Sequence, residues 1–280
     1  MKLSIVTINY NNAEGLKRTL DSVASQTYRD IEHIVIDGGS TDGSVEAIKE
    51  YVSANPNHNP FFKHTIKWVS EKDNGIYNAM NKGIRKATGS YVEILNSGDV
   101  LAAPDVVAHM VAEIEKAEYP EFMYGNMIKK DYATGKILGK SREVEYSLRQ
   151  YYASTMNHDC CYIRRDLFDK YGLYDENLKI VSDWKWFLQA IGLGQVKPVY
   201  VDIDVTIFDA SGISETNLEL RNKERRQVLE EILPPAVLAD YDTHSFEVSQ
   251  MQRLRKRHLY WLVYIIERVL FKLEKWHILR

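Results

Sequence analysis

Acidic and amide side chains are concentrated in three short stretches of the chain, each of which directly follows an apolar run. The stretches are Asp37–Asp42, Ser70–Ile84 (SEKDNGIYNAMNKGI) and Asn96–Asp99. Polar groups packed this densely at the ends of apolar segments are costly unless they bind something. Carboxylates accept hydrogen bonds from ribose hydroxyls and base N–H groups, and their oxygens suit Mg²⁺ or Mn²⁺. The pattern predicts one ligand that carries hydroxyls, amide-like edges and phosphates.

The chain lacks the short motifs that are typical of several other chemistries. No G-x-G-x-x-G follows the first apolar run and no G-x-x-x-x-G-K-[ST] occurs, so the usual dinucleotide and P-loop signals are missing. The sequence also contains no G-x-S-x-G nucleophile elbow and no H-E-x-x-H zinc motif. The groups that remain for chemistry are carboxylates, amides and hydroxyls at the ends of apolar runs.

The elements that must position these groups alternate between strand and helix in the N-terminal part of the chain. Short apolar runs indicate strands, and apolar residues at helical spacing indicate helices. The predicted strands are Leu3–Ile8, Ile31–Ile36, Thr65–Val69 and Tyr91–Leu95, and the predicted helices are Leu16–Ala24, Ser44–Val52 and Tyr77–Ala87. Such alternation predicts an α/β fold with a mostly parallel central sheet flanked by helices. Ligands of these sheets bind outside the carboxyl ends of the strands, where all three polar stretches fall.

The pattern becomes looser after Leu101, but it still alternates between the two kinds of element. Helices are predicted at Ala103–Ala117, Asp166–Tyr171 and Asp183–Ile191, and strands at Glu121–Ile128, Lys136–Leu138 and Val196–Val205. No repeat, low-complexity tract or long linker interrupts the chain.

Composition limits the class of protein. The 280 residues carry a formal net charge of −3, which argues against a general nucleic-acid binder. The only two cysteines, Cys160 and Cys161, are adjacent, so neither an ordinary disulfide nor a metal-type spacing is expected. This usage predicts a reducing compartment, and the short apolar stretch at the N-terminus does not resemble a signal peptide. We therefore expect a cytoplasmic protein, with the inner face of the cell membrane as the alternative place.

The C-terminal part differs in charge. Residues 250–280 carry eight lysine or arginine residues against two glutamates, and they include the wholly apolar run Leu259–Ile266. That run is far shorter than the roughly 20 residues needed to span a bilayer. A basic helix with Trp261, Tyr264, Phe271 and Trp276 is typical of an interfacial membrane helix. The alternative is a terminal helix that packs on its own domain or on a second subunit.

Six segments in order give the chain its resemblance to a known family. They are SIVTINYNN, IDGGSTDGS, SEKDNGIYNAMNKGI, ILNSGD, RRDLFDKYGLYDE and SDWKWFL, and they span roughly Lys2 to Ser214. In this order and spacing the chain resembles the inverting family 2 glycosyltransferases of the GT-A fold, especially members that build surface polysaccharides. The resemblance implies a GT-A domain at residues 1–215 and a basic, amphipathic helical extension at 216–280 that contacts a membrane or a second subunit.

The resemblance assigns the donor side of the site. Its substrate would be a nucleotide-sugar donor, most simply a UDP-sugar, with guanine and thymine left open as bases. The residues that would contact or shape the nucleotide and sugar site are Thr7, Asn9, Tyr10, Asp37, Ser40, Asp42, Asp73, Lys82, Asn96, Ser97 and Gly98. Asp37 would hold the base, Asp73 would lie near the nucleoside and donor sugar, and Lys82 would lie near the diphosphate or pair with Asp73.

The resemblance also assigns the metal and the base. ILNSGD occupies the place of the family's D-x-D motif, but Asn96 and Gly98 stand where aspartates often stand. Asp99 would remain as the ligand of Mn²⁺ or Mg²⁺, with weaker ribose contacts and weaker metal binding. His158 matches a histidine that family members often carry near the acceptor, and it is a second candidate metal ligand. Asp183 matches the proposed catalytic base, which would activate a hydroxyl of a glycan or lipid-linked acceptor.

Two other functions remain open at the level of sequence. A nucleotidyltransferase that makes sugar nucleotides shares a related sheet, but it usually shows a glycine-rich loop with Arg and Lys where this chain has TINYNN. A non-catalytic sugar-nucleotide-binding protein is the second alternative, since Asn96 and Gly98 would then mark a lost active site. Each alternative predicts no acceptor-dependent sugar transfer.

Overall fold

The computed structural model describes residues 1–54, 64–212 and 217–275. Their contacts divide the chain into two units, Met1–Arg226 and Gln227–Arg280. The predicted boundary between residues 215 and 216 stays a prediction. Trp276, one of the aromatic residues expected in a membrane-facing helix, lies outside the described residues.

Four parallel strands form the N-terminal half of the sheet in the order β3-β2-β1-β4. They are β1 (Leu3–Asn9), β2 (Ile31–Asp37), β3 (Thr65–Ser70) and β4 (Tyr91–Ile94). Every residue of β1, β2 and β4 is buried, as expected of strands that are covered on both faces. In the register Asn9 pairs with Asp37, and Asp37 pairs with Ser70. The polar stretches therefore begin level with one another at one edge of the sheet.

Three helices connect these strands, and their first turns are set by the same polar stretches. They are α1 (Ala13–Ala24), α2 (Ser44–Ala54) and α3 (Ile76–Lys86). Asn12 caps α1 by accepting a hydrogen bond from the Gly15 N–H at 3.1 Å. Asp42 accepts hydrogen bonds from the N–H of Ser44 and of Ala13, so one side chain ties the starts of α1 and α2 together. Leu16, Leu20, Val35, Ile48 and Tyr51 pack as the core between these helices and the sheet.

The C-terminal half of the sheet is mixed and continues in the order β4-β8-β6-β9-β5, with β7 paired to β6. The strands are β5 (Val100–Leu101), β6 (Phe122–Lys130), β7 (Ile137–Lys140), β8 (Cys161–Arg164) and β9 (Pro198–Asp209). The long β6–β9 pair is parallel, whereas β8 runs antiparallel to both of its neighbours. The result is the expected α/β architecture with a mixed, mostly parallel sheet flanked by helices. The prediction ended the last strand at Val205, but the structure continues β9 to Asp209.

The remaining helices of the first unit lie between strands β5 and β9 in the chain. They are α4 (Val106–Lys116), α5 (Leu148–Ala153), α6 (Asp166–Tyr171) and α7 (Ser182–Phe187), which continues into a π-helical turn at Leu188–Gly192. Helix α8 (Leu218–Ile232) begins in the first unit and ends in the second. Cys160 and Cys161 are buried free thiols, as expected.

The second unit consists of the end of α8 and two further helices, α9 (Pro235–Lys256) and α10 (Tyr260–Lys275). Its apolar side chains are unusually exposed on α10. The exposed ones are Trp261, Leu262, Tyr264, Ile265, Ile266, Val269, Leu270 and Phe271. Within the described ranges, every helix is too short or too polar to cross a membrane.

Candidate active site

A cavity of about 1010 Å³ opens at the carboxyl ends of β1, β2 and β4 and beside the first turn of α3. Its size suits a small-molecule substrate. The predicted site residues that line it are Asn9, Tyr10, Asp73, Asn96, Ser97, Asp99, His158 and Asp183. The structure thus brings the ends of the three polar stretches together with His158 and Asp183, which are distant in sequence.

The other predicted residues do not line the cavity. These are Thr7, Asp37, Ser40, Asp42, Lys82 and Gly98. Thr7 is fully buried in β1, and its Oγ1 lies 3.0 Å from His33 Nε2. Because this side chain is buried and contacts a neighbouring strand, the expectation that Thr7 contacts the nucleotide does not fit the structure.

Asp37 organises the loop that follows β2. Its carboxylate accepts hydrogen bonds from the Ser40 N–H at 2.9 Å, the Ser70 hydroxyl at 2.6 Å and Asn9 Nδ2 at 2.8 Å. Burial opposes ionisation, but these bonds and that of the Ser40 hydroxyl lower the pKa of Asp37. The carboxylate is therefore an internal clamp that fixes Gly38 and Gly39 at the cavity wall, and Ser40 and Asp42 act in the same loop.

Asp73 and Tyr10 meet above Gly38. A Cβ on Gly38 would lie 2.9 Å from Asp73 Oδ2 and 3.1 Å from the Tyr10 ring, so a side chain at this position would displace one of them. Lys82 Nζ lies 2.7 Å from Asp73 Oδ1 and 2.9 Å from Glu71 Oε1. Lys82 therefore neutralises the two acids and orients Asp73, while Asp73 itself faces the cavity.

Asp99 lies in a group of buried acids. It is 3% exposed, and its Oδ1 accepts a hydrogen bond from the Asp209 backbone N–H at 2.8 Å. Burial and then the charge of Asp159 raise the pKa of Asp99 well above its ordinary value. Asp159 Oδ1 is itself buried without a hydrogen-bond partner among the described residues. A cation beside Asp99 would relieve this repulsion, so the donor set fits a divalent metal.

The metal that fits is one shared with a substrate. Within residues 1–54, 64–212 and 217–275, no group of three or more His, Cys, Asp or Glu side chains could hold an ion. Mg²⁺ commonly binds through one or two carboxylates and takes its other ligands from substrate phosphates and water. Asp99 can supply such a carboxylate, with Asp209 beside it. An all-protein metal cage does not fit.

Gly98 has a backbone reason to be glycine. Its φ of +109° lies in a region that side-chain-bearing residues rarely adopt, and its N–H donates to Thr19 Oγ1 at 2.9 Å. The turn that presents Asp99 therefore requires glycine at this position. The departure from D-x-D at Gly98 is explained by the conformation of the loop.

Four side chains that line the cavity are connected by hydrogen bonds. The Tyr77 hydroxyl donates to Asp183 Oδ1 at 2.9 Å, and Asp183 Oδ2 lies 3.1 Å from His158 Nδ1. His158 Nε2 lies 3.0 Å from the Asn96 amide. Asn96 Oδ1 has no hydrogen-bond partner in the part of the chain that the structure describes, and a half-turn of the amide would place this oxygen on the imidazole N–H.

Within this hydrogen-bonded group, His158 and Asp183 form an ion pair. Burial opposes the charge of His158, but the hydrogen bond and charge of Asp183 raise the pKa of His158 to about 9. Burial likewise opposes ionisation of Asp183, but His158 and Tyr77 lower its pKa. Both imidazole nitrogens are engaged within the protein, Nδ1 with Asp183 and Nε2 with Asn96, so His158 would have to give up one of these contacts to bind a cation. Its role as a metal ligand stays a prediction.

The comparisons with known proteins agree with this geometry. The sequence profile described as glycosyl transferase family 2 matches residues 4–172. An uncharacterized glycosyltransferase of Mycobacterium tuberculosis is 34% identical over 217 residues, which are 75% of this chain and 76% of the relative. A PGL/p-HBAD biosynthesis glycosyltransferase of Mycobacterium bovis is 27% identical over 214 residues, 76% of this chain and 79% of that one. This chain belongs to glycosyl transferase family 2.

Solved structures place this family 2 glycosyltransferase among GT-A folds. S. aureus TarS 1-349 in complex with UDP-GlcNAc has a TM-score of 0.61 and 17% identity, over 78% of this chain and 61% of that one. A mannosyltransferase from Pyrobaculum calidifontis in complex with GDP-Man and Mn²⁺ has a TM-score of 0.60 and 18% identity, over 82% and 63%. This chain thus spans less than two thirds of either structure, and the likeness is one of fold.

Sequence reasoning missed several residues of the cavity of this family 2 protein. Tyr77 lies inside the polar stretch Ser70–Ile84, but the sequence pattern predicts only that a helix starts there. Asp209 is a polar residue at a strand end, and the prediction overlooked it because it ended that strand at Val205. Asp159 directly follows His158 in the sequence. The acid near it, Asp99, is distant in sequence and is brought close only by folding. Arg221 and Arg225 line the cavity from α8, and no motif in the sequence marks them.

Proposed function

We propose that this protein is an inverting glycosyltransferase that moves a sugar from a nucleoside-diphosphate donor, a UDP-sugar, to a hydroxyl of a glycan or lipid-linked acceptor. The role would be one in surface polysaccharide synthesis. One observation carries the proposal: a charged carboxylate, Asp183, opens onto the same cavity as Asp73 on the nucleotide side and Asp99 on the phosphate side. A single displacement at a sugar carbon needs a base for the acceptor, a binding group for the donor and a group that holds the metal and diphosphate, and these three carboxylates would supply them.

The residues on the donor side would bind and orient the nucleoside. Tyr10 offers an aromatic side chain, and the residue is 68% exposed, so a base can stack there. Asp73 is positioned to accept hydrogen bonds from sugar hydroxyls while Lys82 keeps it in place. Asn9 and the Gly38–Gly39 backbone complete the wall, and Asp37 holds that loop still.

Asp99 would hold Mn²⁺ or Mg²⁺ together with the diphosphate, beside Asp209. A divalent ion bound there supplies charge neutralisation for the leaving nucleoside diphosphate. The contribution of the protein is the fixed turn at Gly98, which presents the Asp99 carboxylate to the cavity. Asn96 contributes through His158 and not through the phosphates.

Asp183 would take the proton of the acceptor hydroxyl as its oxygen attacks C1 of the donor sugar. Its side chain is 16% exposed, so an acceptor can reach it, and its lowered pKa keeps it ionised at neutral pH. The new C–O bond forms as the bond between C1 and the diphosphate breaks, on the opposite face, so one displacement inverts the anomeric centre. The acceptor proton passes to Asp183, and the bonding electrons leave with the nucleoside diphosphate. His158 and Tyr77 orient the carboxylate.

The similar proteins support this choice of substrates. TarS was solved with UDP and with UDP-GlcNAc, and the mannosyltransferase with GDP-Man and Mn²⁺. A similar relative is named for the biosynthesis of PGL and p-HBAD. Uracil is therefore the first base to test, with guanine as the comparison.

The exposed apolar face of α10 supports a peripheral contact with a membrane at its cytoplasmic side. Large aromatic and aliphatic side chains stand exposed there, and Arg253, Arg255 and Arg257 are exposed just before the helix. Apolar side chains with nearby cations suit an anionic lipid surface. A homodimer through the same face is the competing arrangement.

The first experiment is a thermal-shift panel of UDP-, GDP- and dTDP-sugars with Mn²⁺, followed by an acceptor screen. Binding to the folded state alone stabilises it by about 2.7 kcal/mol at a hundredfold excess over Kd. We expect one nucleotide to raise Tm and Asp99→Asn to reduce that shift. A chain that no sugar nucleotide stabilises would contradict the proposal.

Asp183→Asn separates an enzyme from a binding protein. We expect transfer to fall by about 10²- to 10⁴-fold, since general-base help is worth that much, while the Kd of the nucleotide stays within about twofold. Asp175→Asn is the control, because that acid pairs with Lys185 away from the cavity. Wild-type transfer by Asp183→Asn would remove Asp183 from the chemistry, and nucleotide binding without any turnover by the wild-type chain would favour the non-catalytic alternative.

A further inference from the structure

Two arginines of α8 face the cavity one helical turn apart. Arg221 and Arg225 both line it, as expected for side chains at positions i and i+4 of one helix. The buried Glu224 fixes this part of α8, because its two carboxylate oxygens accept the N–H groups of Lys179 at 2.7 Å and Ile180 at 2.9 Å. The arginines are therefore held on a rigid element beside the loop that leads into α7.

Arg225 is held by neutral groups. Its guanidinium carbon lies 4.4 Å from the centre of the Trp184 ring, and Nη2 donates to the carbonyls of Tyr152 at 3.3 Å and Ser154 at 3.0 Å. Nη1 and Nε have no partner among the described residues, and no described carboxylate lies within ion-pair distance of the group. Burial and then the charge of Arg221 lower the pKa of Arg225 to about 10. A half-buried cation in such a place gains from an anion.

The position of the pair indicates which substrate the anion belongs to. Trp184 directly follows Asp183, and Asp183 is the acid whose charge acts on Arg225. The charges that act on Asp99 are instead those of Asp159, His158 and Asp209. The arginines thus line the cavity on the side of the base, where an acceptor hydroxyl must sit.

We propose that Arg221 and Arg225 bind an anionic group of the acceptor, a phosphate or a carboxylate, and so select acidic acceptors. The inference rests on the proposed function, since it needs a donor site and a base to define the acceptor side. A guanidinium matches both groups because its N–H donors are arranged as a planar fork. Stacking on Trp184 keeps the Arg225 fork in one orientation.

The test is a set of Kd measurements on protein saturated with UDP and Mn²⁺, so that the donor site is filled. Three probes share one sugar: phenyl glucoside is neutral, phenyl glucuronide carries a carboxylate, and phenyl glucoside 6-phosphate carries a phosphate. We expect at least one anionic probe to bind about tenfold more tightly than the neutral one, as for one charge-assisted hydrogen bond. The tighter of the two anionic probes tells phosphate from carboxylate recognition.

Arg221→Gln should bring the anionic probes to within about twofold of the neutral one and leave the Kd of UDP unchanged. Arg221→Lys keeps the charge and should keep part of the preference. Lys223→Gln, on an exposed position of the same helix outside the cavity, should keep all of it. Equal or absent binding of the three probes to the wild-type chain overturns the inference, as does a preference that survives Arg221→Gln.

A further outcome has its own meaning. If Arg221→Gln weakens UDP binding and leaves probe binding intact, the arginines serve the donor diphosphate and the inference is wrong. Failure of the proposed function looks different, because then UDP would not bind to the wild-type chain at all.

Discussion

Asp183 has a different partner on each of its carboxylate oxygens, and this decides how its chemistry depends on pH. Tyr77 donates to one oxygen and His158 contacts the other. Both contacts favour the ionised form and lower the pKa of Asp183 against the effect of burial. Because the base acts as a carboxylate, a lowered pKa extends activity toward lower pH. His158, with a pKa raised to about 9, stays charged through the neutral range.

His158→Gln should therefore shift the pH profile in two ways. The pKa of Asp183 rises when the positive charge is removed, so the acidic limb of kcat/KM moves to higher pH. An alkaline limb near pH 9, where wild-type His158 loses its proton, should disappear. Tyr77→Phe is the matched control: it removes one hydrogen bond to Asp183, moves the acidic limb in the same direction and keeps the alkaline limb. A His158→Gln profile identical to wild type would show that the ion pair plays no part in turnover.

Gly98→Asp recreates a more common form of the metal motif, yet we expect it to destabilise this protein. The φ of +109° at Gly98 costs a residue with a side chain about 1–3 kcal/mol, and a new carboxylate would stand near Asp209, whose Oδ2 lies 3.6 Å from the Cβ position. Urea unfolding measures the cost. Gly139→Ala is the control, since β7 is exposed and nothing lies within 4 Å of that Cβ position. A Gly98→Asp chain as stable as wild type, with tighter Mn²⁺ binding, would contradict the backbone explanation.

At the scale of elements, the buried Glu224 is one of the contacts that hold α8 beside the loop before α7. Glu224→Gln leaves a single acceptor oxygen for the two N–H groups of Lys179 and Ile180. An unsatisfied buried N–H costs about 1–3 kcal/mol, so unfolding of the first unit should move to lower urea. Because this loop leads into Asp183, kcat should fall as well. Glu219→Gln, exposed in the first turn of the same helix, should change neither quantity; equal effects of the two variants would show that the contact is unimportant.

The elements that sequence could predict are those with a strong local signal. The strands β1 to β4 are short, nearly continuous apolar runs, and the helices between them carry apolar faces, so their existence and order were predicted. β5 has two residues, too few for a period to show. β9 is only partly buried along most of its length, and its mixed pattern hid its end at Asp209.

The residues of the site at strand ends could also be predicted, whereas the contacts between distant segments could not. The rule that polar groups gather at strand ends found Asn9, Asp73 and Asp99, all of which line the cavity. The contacts of His158 with Asp183 and of Arg225 with Trp184 join segments far apart in sequence, and no local pattern encodes them. Thr7 lies two residues before Asn9 in β1, but its fully buried hydroxyl contacts His33 and does not reach the cavity.

At the scale of the whole molecule, charge is divided along the chain. Five aspartates line the cavity of the first unit beside four lysine or arginine side chains, whereas residues 250–280 carry eight lysine or arginine residues against two glutamates although the full chain has a net charge of −3. A basic segment beside exposed apolar side chains is attracted to anionic lipid by about 1 kcal/mol per cation near the surface. The attraction weakens with salt, since exposed charges are screened over about 8 Å at physiological ionic strength.

Removal of residues 250–280 should abolish sedimentation with vesicles that contain phosphatidylglycerol. The full chain should sediment with them at low salt, less so at high salt, and little with vesicles of pure phosphatidylcholine. Replacing Arg253, Arg255 and Arg257 together by glutamine keeps the apolar face, so it should weaken binding without abolishing it, and UDP binding should stay unchanged throughout. If the shortened chain binds vesicles as well as the full chain, the membrane contact is wrong. If the deletion instead converts a dimer to a monomer in analytical ultracentrifugation, the exposed face of α10 serves a second copy of the chain, because the same apolar side chains would then be covered by protein.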